Sequence, residues 1–399
     1  MTSTFIKLPN RLSIIARQML NMKDINLKMS QRASFSSVNN MDEEVLFDAV
    51  GSARIISLNR VKALNSLNLN MVEKIMSSMQ TWVAPGSNVS MIIIKGSGEK
   101  AFCAGGDIKA ATEEGKKDPS SLKSTHFFRR EYMLNHLIGT CPLPYVALID
   151  GITMGGGVGL SVHAPFRVAT EKTLFAMPET AIGLFPDVGG SHFLSRLEGS
   201  IGLYLALTGC RLKGEDVHRA GIASHYITHE NGLYERMQAD LLTLSNPTRD
   251  SINELLDSFH KQSCTKSPYS LAPHLPKINE VFSLPTLEQI YAALESDDSE
   301  WSSKTLNTLK KMSPTSMKIT MEQLKRGKTM NLAECLKMEL RMCRTIMLNK
   351  DFYEGVRAVL IDKDHQPLWR PNSIEETSDE YVQTYFEPIP EGKELEIKS

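Results

Sequence analysis

Short apolar runs that lead directly into glycine-rich turns constrain the fold of this chain more than any other feature. Residues 90–95 and 145–149 are apolar and rich in β-branched side chains, which indicates buried strands. Each run is followed by a glycine-bearing turn and then by a segment with helical periodicity. Repeated strand–turn–helix units predict an α/β architecture whose sheets are covered by helices.

The pattern before residue 140 predicts further elements. Two strands are expected at residues 44–47 and 54–58, around a turn at Gly51, and apolar spacing predicts a helix over residues 71–79. Residues 113–124 are polar and contain glycine and proline, so we expect an exposed loop there. Helical spacing resumes over residues 127–138.

The second half of the chain is expected to be mostly helical, because strand patterns fade past about residue 200. The end of the chain, from residue 375, is acidic and interrupted by prolines, so we expect it to fray. Helices are predicted at residues 232–245, 285–296, 302–312 and 331–348. We divide the chain into an N-terminal segment (1–40), an α/β core with the active site (41–225), a helical region (226–370) and an acidic tail (371–399).

Composition excludes several classes of protein. Hydrophobic residues make up 41% of the chain and charged residues 23%, which excludes a disordered or collagen-like protein. The net charge of −1 gives no basic field for nucleic acid, and the longest apolar runs are too short to span a membrane. The six cysteines are dispersed without a C-x-x-C pair, so we expect reduced thiols rather than a disulfide scaffold or zinc ribbon.

The first forty residues have the composition of a targeting segment. They contain six basic residues and a single acid, Asp24, and they are rich in serine. Leu12, Ile15, Met19 and Leu20 form one apolar face of a short helix. These features are typical of a transit peptide and predict the mitochondrial matrix, whereas the alternative is a native N-terminal extension.

Two of the glycine turns are candidates for binding a developing negative charge. Gly106 follows an apolar run, and Gly156 follows the predicted strand at 145–149. Glycine at the start of a helix leaves backbone N–H groups free, so the two amides can form an oxyanion hole for a carbonyl oxygen. The alternative is that these glycines only permit tight strand–helix packing.

Two acids, Glu179 and Asp187, lie in an otherwise apolar stretch that includes Phe175, Ile182 and Phe185. Burial raises the pKa of a carboxyl group and suits it to proton transfer near neutral pH. In the alternative interpretation Glu179 caps a helix and Asp187 is the N-cap of the helix that follows residues 188–190.

Several long motifs resemble the crotonase (enoyl-CoA hydratase/isomerase) superfamily. They are residues 101–107 (AFCAGGD), 151–159 (GITMGGGVG) and 177–190 (MPETAIGLFPDVGG). Within it, residues 127–132, 152–161 and 175–190 are similar to the 3-hydroxyisobutyryl-CoA hydrolase family, and the similarity extends from about residue 42 to 369. The resemblance implies a β-β-α superhelix core of two stacked sheets, followed by a helical C-terminal region.

The resemblance also implies an acyl-CoA thioester substrate whose carbonyl oxygen lies between the Gly106 and Gly156 amides. Substrate contacts carry over onto Glu131, Gly156, Glu179 and Asp187, which have the matching residue types. Residues 59–65 match the segment that contacts coenzyme A, with Lys62 as a phosphate contact. The family's usual proline is replaced by Val61, which weakens the assignment of Lys62.

Two departures from hydratases indicate hydrolysis. Hydratases position water with two glutamates, and the first of these falls at Gly159. At Asp187 hydratases typically carry glycine, whereas the hydrolases carry aspartate. The resemblance leaves two roles open for Glu179, a nucleophile that forms a mixed anhydride or a base that activates water. No metal or redox cofactor is expected.

The expected function is hydrolysis of 3-hydroxyisobutyryl-CoA to 3-hydroxyisobutyrate and coenzyme A in valine breakdown. One alternative is a hydrolase of another 3-hydroxyacyl-CoA. The other is a hydrolase-like structural subunit of the mitochondrial small ribosomal subunit, which would associate with the ribosome. Relatives of this superfamily commonly form homo-oligomers, so self-association is a further expectation.

Overall fold

The computed structural model describes residues 43–121, 123–263, 267–389 and 394–397. The predicted transit peptide, residues 1–40, lies outside the described residues. The chain from Glu44 to Ser399 clusters as one compact unit. Its strands are β1 Val45–Val50, β2 Ala53–Leu58, β3 Met91–Gly96, β4 Ala101–Cys103, β5 Tyr145–Ile149, β6 Ile152–Met154, β7 Phe166–Ala169, β8 Leu174–Ala176, β9 Leu212–Lys213 and β10 His225–Tyr226.

These strands form two sheets that the chain visits alternately. The larger sheet has the order β1-β2-β3-β5-β7-β10, and its strands are parallel except for the antiparallel β1–β2 hairpin. The smaller sheet has the order β4-β6-β8-β9, with β4, β6 and β8 parallel. A short strand of the smaller sheet follows each of β3, β5 and β7, which confirms the expected β-β-α repeat.

Helices follow the sheets and dominate the chain after β10. The first helix begins after Asn68, whose side chain accepts a hydrogen bond from the Met71 amide at 2.9 Å, and it buries the predicted apolar face. The helices are α1 Leu69–Trp82, α2 Ile108–Lys117, α3 His126–Gly139, α4 Gly156–Gly159, α5 Gly190–Phe193, α6 Ile201–Thr208, α7 Glu215–Arg219, α8 Leu233–Thr243, α9 Arg249–Ser263, α10 Leu275–Val281, α11 Leu287–Glu295, α12 Glu300–Leu309, α13 Pro314–Gly327, α14 Leu332–Leu348, α15 Asp351–Val356 and α16 Asp379–Gln383.

The larger sheet is buried on both faces, which explains the continuous apolar run in β3. Ile92 and Ile94 point into the main core, whereas Met91 and Ile93 point into a second cluster on the opposite face. Helices α8 and α9 cover that second cluster with residues such as Leu256. Helices beyond residue 225 therefore complete the covering of the sheet, and the boundary expected there stays a prediction.

The loop expected over residues 113–124 is wrong in its first part, because α2 continues to Lys117. Gly115 is buried on this helix rather than exposed in a turn. A β-carbon at Gly115 would collide with Met347 Cε and lie 2.6 Å from Tyr353 Oη. The glycine therefore lets α2 approach the C-terminal helices closely. In the sequence alone, the same glycine indicates the end of a helix.

The expected fraying of the acidic tail is also wrong for its described part. The chain forms α16 and a 3₁₀ turn at Thr384–Phe386, and Tyr385, Phe386 and Leu395 are buried. Arg341 on α14 holds Glu394 at 2.9 Å. The few apolar residues of the tail thus fix it to the core although its overall composition is acidic. Of the helices the structure describes, none is long and apolar enough to cross a membrane.

Candidate active site

The candidate site lies where strands of the smaller sheet end. Gly106 follows β4, Gly156 follows β6 and Glu179 follows β8, and these three strands are parallel neighbours. Parallel neighbours bring their carboxyl ends to one edge of a sheet, so residues 23 to 73 positions apart meet there. The β-β-α repeat is therefore the reason these three short motifs form a single site.

The two glycine turns face each other across a short gap. A β-carbon at Gly156 would lie 3.2 Å from the Gly106 amide nitrogen, so no larger residue fits at this position without movement. Gly105 and Gly155 have φ values of 114° and 45°, which side-chain-bearing residues rarely adopt. Within the described part of the chain, neither the Gly106 nor the Gly156 amide donates a hydrogen bond to another protein group. Two free N–H donors on neighbouring turns suit one carbonyl oxygen.

Three buried carboxylic acids belong to the site, two of them next to the glycine turns. Glu131 on α3, Glu179 and Asp187 are 2%, 5% and 4% exposed. A β-carbon at Gly156 would collide with Glu131 Oε1, and one at Gly155 would lie 3.1 Å from Glu179 Oε1. Glu131 Oε1 and Glu179 Oε2 have no hydrogen-bond partner among the described residues. Buried polar atoms without a partner in the free protein are expected to receive one from substrate or water.

The pKa values of the three acids are all raised. Burial raises the pKa of Asp187 to about 7, against the hydrogen bond that Tyr132 Oη donates to Asp187 Oδ2 at 2.9 Å. Burial and then the charge of Asp187 raise the pKa of Glu179 well above its usual value. Burial, followed by the charges of Asp187 and Glu179, does the same for the pKa of Glu131. Acids of this kind can exchange protons near neutral pH.

The capping alternatives for the acid pair are wrong. The N-cap of α5 is Gly189, and Asp187 makes no side-chain capping bond to that helix. Glu179 is the first residue of a 3₁₀ turn that ends at Ile182, and Pro178 before it provides no side-chain cap. Both carboxyl groups are thus left available for chemistry.

Gly159, where hydratases carry their first glutamate, has no room for a side chain. A β-carbon there would lie 2.7 Å from Asn135 Nδ2 and 2.7 Å from Val188 Cβ. Both polar atoms of the buried Asn135 amide lack a partner among the described residues. The first of the two hydratase carboxylates is therefore both absent and sterically excluded.

Lys62 is not brought into the acid cluster. It lies exposed in the 3₁₀ turn Val61–Ala63, and its role as a phosphate contact stays a prediction. The segment after this turn is nevertheless hydrogen-bonded to the segment that leads to Gly106. The Ala104 amide donates to the Leu64 carbonyl at 3.0 Å, and the Leu67 amide donates to the Gly105 carbonyl at 2.8 Å.

Sequence analysis missed a second group of polar residues around Asp187. Glu339 on α14 is fully buried, and burial raises its pKa to about 8, although hydrogen bonds from Ser191 and Gly189 oppose the shift. His163 is half-buried, and its partial burial lowers the pKa of its ring to about 4. The available signal for Glu339 was its place in the apolar stripe of α14, between Leu336 and Cys343.

The sequence was compared with protein families and with known proteins. The enoyl-CoA hydratase/isomerase family model matches residues 53–386, and the chain belongs to this family. The similar relatives include the mitochondrial 3-hydroxyisobutyryl-CoA hydrolases of Xenopus laevis (50% identity, 96% of this chain and 94% of the relative), Danio rerio (52%, 87% and 90%) and Homo sapiens (50%, 87% and 89%).

Solved structures confirm the fold. A carnitinyl-CoA dehydratase from Mycobacterium thermoresistibile matches with a TM-score of 0.80 and 33% identity, over 90% of this chain and 100% of that chain. An enoyl-CoA hydratase from Rhodobacter sphaeroides matches with a TM-score of 0.79 and 34% identity, over 89% and 100%. The chain thus has the crotonase-type architecture that its motifs predicted.

Proposed function

We propose that this protein is an enzyme that hydrolyses 3-hydroxyisobutyryl-CoA to 3-hydroxyisobutyrate and coenzyme A. The observation that carries the proposal is the buried pair Glu179 and Asp187 beside the two free amides of Gly106 and Gly156. Relatives about 50% identical over most of their length are named as this hydrolase. The finer assignment of the roles below rests on the geometry.

The chemistry needs charge stabilisation at the carbonyl and proton transfer beside it. The Gly106 and Gly156 amides stabilise the oxyanion that forms when the thioester carbonyl is attacked. Glu179 either attacks this carbon, giving a mixed anhydride that water then hydrolyses, or removes a proton from an attacking water. In both routes the C–S bond breaks and coenzyme A leaves as the thiol. Asp187 positions the 3-hydroxyl group or the water and carries the proton.

We further propose that the reaction needs neither a metal nor a redox cofactor. The two amides polarise the carbonyl, which is the task a Lewis acid performs in metal-dependent hydrolases. Glu131 and Lys62 complete the proposed substrate contacts, Glu131 next to Gly156 and Lys62 at the coenzyme A end. Self-association of the chain remains part of the proposal.

Three alternatives are weaker. Hydration of an enoyl-CoA lacks the first of its two glutamates, because Gly159 has no room for a side chain. Hydrolysis of another 3-hydroxyacyl-CoA would use the same acids and differ only in the acyl pocket. For a ribosomal subunit nothing in the structure or among the named relatives provides support, whereas the retained acids favour an enzyme.

A thiol-release assay on the purified chain tests the function. We expect free thiol from 3-hydroxyisobutyryl-CoA, unchanged by a chelator, and slower release from isobutyryl-CoA, which lacks the hydroxyl group. Hydration of crotonyl-CoA as the main activity, or loss of hydrolysis on chelation, would contradict the proposal.

We place the protein in the mitochondrial matrix, as the names of the relatives and the composition of residues 1–40 suggest. A fusion of residues 1–40 to a fluorescent reporter should enter mitochondria. The matched control replaces Arg11, Arg17 and Arg32 by glutamate in the same fusion and should stay cytosolic. Cytosolic retention of the unaltered fusion would refute the targeting assignment.

A further inference from the structure

The turn that carries Asp187, residues 186–191, is held by side chains from distant parts of the chain. We propose that Glu339, together with Gln323 and His163, acts as a positioning residue that fixes this turn and so aims the Asp187 carboxylate. The inference rests on the proposed function of Asp187 and extends the site to the C-terminal helices α13 and α14.

Glu339 binds one side of the turn through three donors. Its carboxylate accepts hydrogen bonds from the Gly189 amide at 2.8 Å, from the Ser191 amide at 3.0 Å and from the Ser191 hydroxyl group. The two amide distances lie in the ordinary range for N–H···O hydrogen bonds. A carboxylate placed in this way fixes the backbone on the C-terminal side of Asp187.

The carbonyl groups on both sides of Asp187 are held as well. Gln323 Nε2 on α13 donates to the Pro186 carbonyl oxygen at 2.7 Å. His163 Nε2 lies 2.8 Å from the Val188 carbonyl oxygen and therefore carries the proton of this bond. The residues immediately before and after Asp187 thus each have a fixed carbonyl, so its backbone has little freedom to rotate.

The turn needs such support because its backbone is strained. Val188 has a φ of 51°, which is unfavourable for a β-branched residue and persists only where surrounding contacts enforce it. Gly189 follows with a φ of 84°, and a β-carbon there would collide with the His163 ring. Without these contacts Val188 would relax and carry the Asp187 carboxylate away from Glu179.

Burial of Glu339 needs an explanation of this kind. The residue is fully buried, and burying a carboxyl group among apolar residues such as Leu336 and Leu340 is unfavourable. Its hydrogen bonds go to the turn next to Asp187 rather than to a distant loop. A residue of this type placed at the site is expected to serve the geometry of the reacting group.

A double-mutant cycle tests the positioning role. We expect Glu339→Gln to lower kcat about 10- to 100-fold with little change in KM, because small misplacements of a catalytic group cost this much. In an Asp187→Asn background the same substitution should lower kcat less than about twofold, because there is no longer an aspartate to aim. Equal losses in both backgrounds, or no loss at all, would overturn the inference.

Glu334→Gln is the matched control, since it is the same substitution on the same helix. The Glu334 carboxylate also accepts a backbone amide, that of Asn331 at 2.8 Å, but it belongs to the exposed capping box at the start of α14. Kcat should stay unchanged in both backgrounds.

Amide hydrogen exchange gives a readout that does not depend on activity. Exchange at Gly189 and Ser191 should accelerate in Glu339→Gln and not in Glu334→Gln. A wild-type chain that releases no thiol would refute the proposed function. Unchanged exchange in Glu339→Gln would instead refute the positioning role of Glu339.

Discussion

Asp187 and Glu179 differ in their hydrogen-bond partners and in their distance from the glycine turns. Asp187 has a donor in Tyr132 and a pKa near 7, so it can both hold and release a proton at physiological pH. Glu179 lies closer to the glycine turns and keeps one oxygen without a partner. Differing environments of this kind separate the roles of two like residues in one site.

Isosteric replacement of the acids should abolish most of the turnover. Glu179→Gln removes the nucleophile or base, and we expect kcat to fall about 10²–10⁴-fold while KM stays similar. Asp187→Asn should also lower kcat, because a neutral amide cannot take the proton. Steady-state thiol release with far-ultraviolet circular dichroism as the folding control measures both effects, and full activity in both variants would refute the assignment.

At the residue scale, the sequence singles out candidate residues where the signal is local. Glu179 and Asp187 stand out because their neighbours in the chain are apolar, and the glycines stand out by their clustering. Glu339 and His163 were missed because their partners are backbone atoms brought close only by folding; Glu339 and Gly189 are 150 residues apart. Hydrogen bonds of this type leave no periodic trace in a sequence.

At the scale of elements, apolar spacing predicted α1 and α3, each with one buried face, and a continuous apolar run predicted β5, which is buried on both faces. It missed α9 and α13, whose apolar residues are diluted by polar ones, and it misjudged α2 at Gly115. It also underestimated the tail, where Tyr385, Phe386 and Leu395 are sparse in sequence yet all buried. Local composition does not reveal which neighbour an element will meet.

The tail should contribute measurably to stability. Phe386 is 6% exposed and lies under the Arg326 guanidinium, whose carbon is 4.1 Å from the ring centre. We expect Phe386→Ala to lower the free energy of unfolding by about 3–5 kcal/mol. Leu368→Ala is the control, because Leu368 is 74% exposed and its loss should change this energy by less than about 0.5 kcal/mol. Urea denaturation compares the two, and equal stabilities would show that the tail is not docked.

At the scale of the whole molecule, a group of buried acids makes the native state hold protons that the unfolded chain releases. The pKa of Asp187 is about 7 in the fold against an ordinary 3.8, and that of Glu339 is about 8 against 4.5. Between the ordinary and the raised pKa the native state binds more protons, so their contribution to stability is full at low pH and is lost as the pH rises through this range.

Asp187→Asn should therefore stabilise the protein at high pH and not at low pH. An amide has no charge to bury and can still accept the Tyr132 hydroxyl bond, so the variant avoids the cost of ionising Asp187. We expect its free energy of unfolding relative to wild type to rise between about pH 4 and pH 7, by about 1.4 kcal/mol for each unit of the pKa shift at most. Urea denaturation across this range measures the difference. A difference independent of pH would show that Asp187 ionises normally.

The support that Gln323 and Glu339 give to the Asp187 turn has a consequence for incomplete forms of this protein. The acids and the glycine turns are complete once the chain has been made as far as Asp187, but Gln323 and Glu339 emerge 137 and 150 residues after the groups they bind. A molecule cut short before α13 therefore carries every reacting group but none of the α13 and α14 side chains that hold the turn. Such a fragment would have the chemistry of the site without the aim of the Asp187 carboxylate.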